Sequence, residues 1–323
     1  MSKATTAELS IVVPVYNEEA SLKAFHESLV KTLKTLDIKW NILYVDDGSG
    51  DETNAIIHHF GKDSVNVKLL SFSRNFGKEN ALSAGINQAS GDAILTIDGD
   101  GQHPVELIPE FVAKWQAGAK VVVGVRANQS SPRMLKSVSS ILFYKLFNRM
   151  SQNRLIPGST DFRLIDAHVR TAFNDLHEQD RMTRSLIDWL GFKQDYVYFT
   201  SKDRLNGVPA YSNRKLTELA LNSIISSTVL PLYLFGYLGI GITILSFGLG
   251  LVVFVEQIIL EDPLSWQFTG TAMLGILTVF LVGLVLLSQG LLSLYVSQIH
   301  REAKRRPLYV IDYERSIGIR RES

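Results

Sequence analysis

The chain contains no cysteine, which excludes a disulfide framework, a thiolate nucleophile and any cysteine-ligated zinc or iron–sulfur centre. It also lacks an excess of either charge: 33 Lys+Arg stand against 32 Asp+Glu in 323 residues, a net charge of +1. Nucleic-acid-binding domains normally carry a basic surplus, so the expectation is a protein with no nucleic-acid partner. The third absence is local. Residues 229–299 contain no Lys or Arg and only three acids, Glu256, Glu261 and Asp262, whereas the rest of the chain carries charge at the density of an ordinary soluble domain.

Two uncharged runs lie inside that stretch, Val229 to Val255 and Phe268 to Ile299. A helix rises 1.5 Å per residue, so about 20 residues cross a hydrocarbon core of about 30 Å. Both runs are long enough, and they predict two transmembrane helices at about 229–255 and 268–296. The alternative, a pair of buried core helices, would need uncharged stretches rarely this long in soluble cores. Arg214 and Lys215 precede the first run, and Arg301, Lys304, Arg305 and Arg306 follow the second; the connector between the runs has acids only. The positive-inside rule then places both termini and the N-terminal domain on the cytoplasmic side of an inner membrane, with the connector opposite. The early apolar run Leu9 to Val15 is too short for a signal peptide.

Four parts follow: a soluble domain over 1–210, a juxtamembrane amphipathic helix over 211–228, the two spans within 229–299, and a basic tail over 300–323. In the soluble part, apolar runs alternate with helical stretches: Leu9 to Val15, helix Glu19 to Leu36, Asn41 to Val45, Val67 to Phe72, helix Lys78 to Ala89, and Ala93 to Ile97. This alternation predicts a Rossmann-like, doubly wound α/β sheet, mainly parallel. Such sheets bind ligands beyond the carboxyl ends of their strands. Met134 to Met150 reads as an amphipathic helix, lying at a membrane surface or docked on the sheet.

Polar groups cluster at three strand ends: Tyr16, Asn17 and Glu18 after the first, Asp46 and Asp47 after the second, and Asp98 and Asp100 after the fourth. Parallel strands open on one edge, so these groups are expected to converge. Asp98 and Asp100 flank Gly99 in Asp98-Gly99-Asp100-Gly101-Gln102-His103-Pro104, and alternation leaves both carboxylates on one side. That is a compact oxygen site suited to Mg2+ or Mn2+. Taken alone, an Asp-x-Asp is more often a turn.

The segments Val13-Pro14-Val15-Tyr16-Asn17-Glu18, Val45-Asp46-Asp47-Gly48-Ser49, Arg74-Asn75-Phe76-Gly77-Lys78-Glu79, Asp98 to Pro104, Gly158-Ser159-Thr160-Asp161-Phe162-Arg163 and Arg204-Leu205-Asn206-Gly207 together resemble a known family. It is the family 2 glycosyltransferases of GT-A fold, and among them the polyprenyl-phosphate transferases of the dolichyl-phosphate mannose synthase type. The overall pattern is most similar to bacterial bactoprenol glucosyltransferases. The resemblance implies a GT-A catalytic domain followed by two membrane helices, and transfer of one sugar from a nucleotide sugar to a polyprenyl phosphate with inversion. UDP-glucose and undecaprenyl phosphate are the implied substrates; GDP-mannose with a dolichol-type acceptor is the alternative, and a non-turning-over nucleotide-sugar scaffold is the alternative of another class.

Residue by residue, the resemblance implies that Pro14, Tyr16, Glu18, Asp46, Asp47, Lys78 and Asp98 hold the donor nucleotide. Asp98, Asp100 and Gln102 then hold Mg2+ or Mn2+, Asp161, Asp100 and Arg163 carry catalysis, and Arg126, Arg133 and Arg204 grip the acceptor phosphate. Guanidinium groups suit that last task because they match phosphate oxygens bidentately. A lipid phosphate is largely dianionic at neutral pH, so Asp161 has little proton to remove; it acts as base or as positioner, or caps a helix over Arg163 to Val169. One departure stands out: relatives continue from the Arg-x-x-Gly segment with Ser-Lys-Tyr, where this chain has Val208-Pro209-Ala210-Tyr211-Ser212. His58 and His59 read as surface residues of a helix, and His103 as a wall of the site rather than a ligand. Two spans are few for a lipid path, so a homo-oligomer is expected.

Overall fold

The computed structural model describes residues 7–127, 158–179, 181–200 and 270–319, with six helical positions between 237 and 248. The chain divides into two compact units, residues 1–210 with 306–323, and residues 211–305. Assignment of 306–323 to the first unit was not foreseen: within the segment expected as a basic tail, residues 309–319 pack on that unit's sheet.

The first unit is a seven-stranded sheet between two helical layers. The strands are β1 (Glu8–Val15), β2 (Lys39–Asp46), β3 (Val67–Ser71), β4 (Ala93–Thr96), β5 (Val121–Arg126), β6 (Ser159–Asp166) and β7 (Gln194–Phe199), in spatial order β3-β2-β1-β4-β6-β5-β7. The helices are α1 (Leu22–Leu33), α2 (Thr53–Asp63), α3 (Lys78–Gln88), α4 (Ile108–Gln116), α5 (Ala167–Asn174) and α6 (Thr183–Trp189). Period-two alternation sorts the strand residues. Leu9, Ile11, Val13 and Val15 of β1 join α1, α2 and α4 on one face, and Val12 joins α3, α5 and α6 on the other. Leu22, Phe25, Leu29 and Leu33 recur at helical spacing and are buried; each apolar side chain so buried is worth about 1.5–3 kcal/mol. The small residues Ala81, Ala84 and Gly85 let α3 lie close on the sheet, where a Cβ on Gly85 would collide with Val12.

Strands β3-β2-β1-β4 are parallel as expected, but β6 runs antiparallel to both β4 and β5. The sheet is therefore mixed. The alternative of a helix cap at Asp161 is overturned: Thr160 to Asp166 lie in β6, and a helix begins only at Ala167. Two ladders, one on each side, hold that segment extended and outweigh its local helix signals.

The second unit contributes α7 (Gly270–Lys304), within which the 25 residues Phe280–Lys304 contain an 18-residue stretch of mean hydropathy 1.9. At 1.5 Å per residue these reach roughly 37 Å, enough to cross a bilayer core. It is the one such helix among the described residues. The first expected span, the 134–150 and 211–228 helices, the 256–267 connector, Arg133 and Arg204 lie outside or mostly outside the described residues.

Candidate active site

One side of the site is assembled by loops that stitch strand ends together. Asn17 sits in the left-handed region (φ 53°), which its short polar side chain tolerates. Its N–H donates to Ser49 Oγ at 3.0 Å, and its Oδ1 accepts from Gly50 N at 3.0 Å. Glu18 N donates to Thr53 Oγ1 at 2.8 Å, tying the end of β1 to the start of α2. Gly48 (φ 72°) lies against the Arg74 backbone with no room for a Cβ. Asp46 is fully buried and accepts from Ser49 N and Asn54 Nδ2, both at 2.9 Å.

Asp47, expected to line the nucleotide pocket, is engaged with backbone amides. Its carboxylate accepts from Phe76 N at 2.7 Å and Gly77 N at 2.9 Å, at the start of α3, where orphan amides and the helix dipole favour an anion. Burial pushes its pKa up, only partly offset by those hydrogen bonds. Asp47 thereby sets the loop that presents Lys78. Pro14 is buried in β1, while Tyr16, 47 % exposed at the strand end, offers an open ring face.

Lys78 is the junction of the site. Its Nζ lies 2.6 Å from Asp98 Oδ1 and 3.0 Å from Asp161 Oδ2, joining the end of β4 to β6. Burial works against its charge, but the two carboxylates outweigh it and raise its pKa. Asp161 is 8 % exposed; burial would raise its pKa, yet Lys78 and Arg184 hold it below the ordinary carboxylate range. Thr96 Oγ1 donates to the Asp161 carbonyl at 2.5 Å and fixes β6 in register.

Arg163 is not oriented by Asp161. Its guanidinium is buried against Asp188, with Nη1 to Oδ1 at 2.7 Å, and Nε donates to the Thr160 carbonyl at 3.0 Å. This arginine holds β6 to α6. The arginine facing Asp161 is Arg184, with Nε 3.4 Å from Oδ1, and sequence reasoning missed it. Its one indirect signal was Glu79, whose carboxylate accepts from Thr183 N at 2.8 Å and so seats the start of α6.

Asp98, Asp100 and His103 offer ligand atoms within 4.8 Å of one another. Glu18 lies close enough to Asp100, Asp51 and Asp98 that their charges add to burial in raising its pKa. Among the described residues, both ring nitrogens of buried His103 lack a hydrogen-bond partner, and Nδ1 is 3.8 Å from Asp98 Oδ2. Burial lowers the His103 pKa and favours the neutral imidazole. Orphaned nitrogens beside two carboxylates fit a divalent cation with oxygen and imidazole ligands. His103 was expected as a wall of the site; it packs on Phe162 and Phe199 as one, and also faces the carboxylates. Buried Gln102 donates its N–H to Asp100 Oδ1 at 3.0 Å, a turn that aims the second carboxylate. Arg126 ends β5 with its Nε buried and without a hydrogen-bond partner among the described residues.

Residues 10–170 match the family model for glycosyl transferase family 2. The chain is 37% identical over 306 residues to the uncharacterized glycosyltransferase sll0501 of Synechocystis sp., covering 95% of each. The chain belongs to glycosyl transferase family 2. It is also 34% identical to the bactoprenol glucosyl transferase of Shigella phage SfV, covering 95% of this chain and 99% of that one. A third relative, the prophage bactoprenol glucosyl transferase homolog of Escherichia coli (strain K12), is 34% identical over 94% of this chain and 98% of its own length. The family 2 domain here is of the GT-A type, an α/β fold with a mixed sheet whose acidic residues gather at one edge.

Proposed function

We infer that this family 2 enzyme moves a single sugar from a nucleotide sugar to a polyprenyl phosphate, with glucose from UDP-glucose and undecaprenyl phosphate as its substrates. The observation that carries this reading is near-full-length similarity to bactoprenol glucosyl transferases, in a chain whose Asp98 and Asp161 meet at Lys78, with Asp100 beside Asp98. Tyr16, Glu18 and Asp46, with Pro14 behind them, frame the nucleoside. A cation held by Asp98 and Asp100, with Gln102 and His103 beside them, would neutralise charge developing on the leaving nucleoside diphosphate.

The chain's own groups do the rest. A phosphate monoester arrives largely ionised, and the depressed pKa of Asp161 makes it a poor base at neutral pH. Asp161 therefore positions: it accepts hydrogen bonds from sugar hydroxyls and holds Lys78 and Arg184. Two anions meet in this reaction, so cations must offset their repulsion. Lys78 and Arg184 serve the donor side, and Arg126, joined by Arg133 and Arg204, serves the acceptor phosphate. Both hydrophobic runs span the membrane with the catalytic domain and termini on the cytoplasmic side, and copies associate to complete the lipid path.

The test is transfer of radiolabelled sugar from UDP-glucose, and in parallel from GDP-mannose, to undecaprenyl phosphate by the full chain in detergent. Labelled lipid formed from UDP-glucose with Mn2+, abolished by EDTA and reduced about 10²–10³-fold in Asp100→Ala, is the expected result. Labelling from GDP-mannose alone would replace the donor. Nucleotide binding with no transfer from a wide donor panel would favour a scaffold.

A further inference from the structure

The segment that follows α7 reaches the donor site. Leu69 and Ile317 exchange backbone hydrogen bonds at 3.0 and 2.8 Å, Asp312 N donates to the Ser71 carbonyl at 2.8 Å, and Ser73 N to the Val310 carbonyl at 3.0 Å. Tyr309 stacks on Phe72 at 5.0 Å between ring centroids. Ile317 packs against the core on one face of the sheet, and Tyr309, Ile311 and Ile319 against the other. Residues 309–319 thus form a strap along the open edge of β3.

Within the strap, a turn is pinned from several directions. Asp312 Oδ1 accepts from Glu314 N and Arg315 N at 3.1 and 3.3 Å. The Arg315 carbonyl accepts from Ser71 Oγ at 3.1 Å, and His58 Nε2 lies 3.2 Å from it; His58, expected as a bare surface residue, has this partner. The turn sends the Arg315 guanidinium over the end of β2, where Nη2 donates to the Ser49 carbonyl at 3.2 Å and sits 3.7 Å from Asp46 Oδ2. Ser49 is then held at every polar atom: its N–H by Asp46, its Oγ by Asn17 N and its carbonyl by Arg315. Two of those contacts come from the neighbouring strand ends, and the third from the far side of α7 in sequence.

We propose that Arg315 is a positioning residue of the donor site, holding the Asp46–Ser49 loop in its nucleotide-binding form so that the strap is part of that site. This rests on the donor reading above. A loop fixed in advance loses less freedom on binding, so Arg315 acts on nucleotide affinity and leaves acceptor binding alone. By reciprocity, nucleotide bound to the loop tightens the strap by the same factor.

Two measurements on the full chain in detergent test it, with UDP plus Mn2+ as probe and GDP in its place if UDP does not bind. Arg315→Ala is expected to raise the UDP dissociation constant and the nucleotide-sugar KM about tenfold, the loss of one charge-assisted hydrogen bond. The kcat should change less than twofold and KM for undecaprenyl phosphate not at all, and Arg315→Lys should recover part of the affinity. In the wild type, saturating UDP should slow amide exchange of Asp312 and Ile317 about tenfold. A merely structural arginine would lower Tm while leaving UDP affinity of the folded protein unchanged, and that result overturns the proposal. Exchange rates indifferent to UDP overturn it too, and decide the matter alone if Arg315→Ala does not fold. Nucleotide binding without sugar transfer would strike the acceptor reading and leave Arg315 in its role; binding of neither nucleotide would end both.

Discussion

The two halves of the site are held by different forces. The donor half, from Asn17 to Thr53, is stitched mainly by hydrogen bonds between backbone N–H groups and short polar side chains. The transfer half, around Lys78, Asp98, Asp161 and Arg184, is held by ion pairs, with the buried Arg163–Asp188 pair beneath it. Hydrogen-bonded loops fix a shape. Ion pairs hold charge that must be present when two anions approach, and they tolerate rearrangement when a phosphate enters.

The sharpest break in that comparison is Asp188→Ala. It strands the Arg163 guanidinium, 2 % exposed, and removing one partner of a buried pair costs about 3–5 kcal/mol. Thermal or urea unfolding should register the loss, and a stability change below about 1 kcal/mol would remove the pair from this account. Next comes Lys78→Met, which leaves the hydrogen bonds between Asn17 and Thr53 in place but unties Asp98 from Asp161. A fall in kcat of about 10²-fold is expected, with UDP affinity reduced less; equal loss in both would merge the two halves.

Acid separates the ionic half from the rest of the fold. Asp161 is depressed and Lys78 raised, so both stay charged through the neutral range. His26 behaves oppositely: half-buried, stacked on Phe60 and 2.9 Å from the Tyr44 hydroxyl, its pKa is lowered by burial to about 4. A folded-state value below the unfolded one, about 6.5, means the fold prefers the neutral ring. The stability this gives is present above about pH 6.5 and is lost as pH falls toward 4. Tm should drop over that window, and Phe or Gln at position 26 should flatten the drop. The smallest effect is expected from Asn17→Ala, which removes one acceptor for Gly50 N and should weaken nucleotide binding by about 1 kcal/mol with kcat preserved.

The donor half was also the more legible in sequence. Its groups lie within a few residues of strand ends, and strand alternation with a parallel order brings Tyr16 and Asp46 to one edge. The transfer half depends on β6, whose direction comes from pairing with both β4 and β5; nothing local in Ser159–Asp166 announces an antiparallel strand. Arg184 reaches Asp161 from 23 residues away, and Asp188 reaches Arg163 from 25. Contacts at that separation depend on how α6 packs, which no motif encodes. Arg315 reaches Ser49 from 266 residues away, and as one arginine in a basic segment it had no feature to mark it. The hydrogen bonds of Asp47 were not legible, because its partners are backbone amides whose direction only the α3 loop determines.

The strap bears on the order in which the molecule is made. A chain emerging from the ribosome folds its N-terminal parts first, and β3 is complete long before residues 309–319 exist. Until α7 has been synthesised, the soluble domain carries an open strand edge, the kind of surface on which other strands pair. Closure of that edge waits for the apolar helix, so a chain stopped before the strap keeps an adhesive margin and a Ser49 loop short of one of its three contacts.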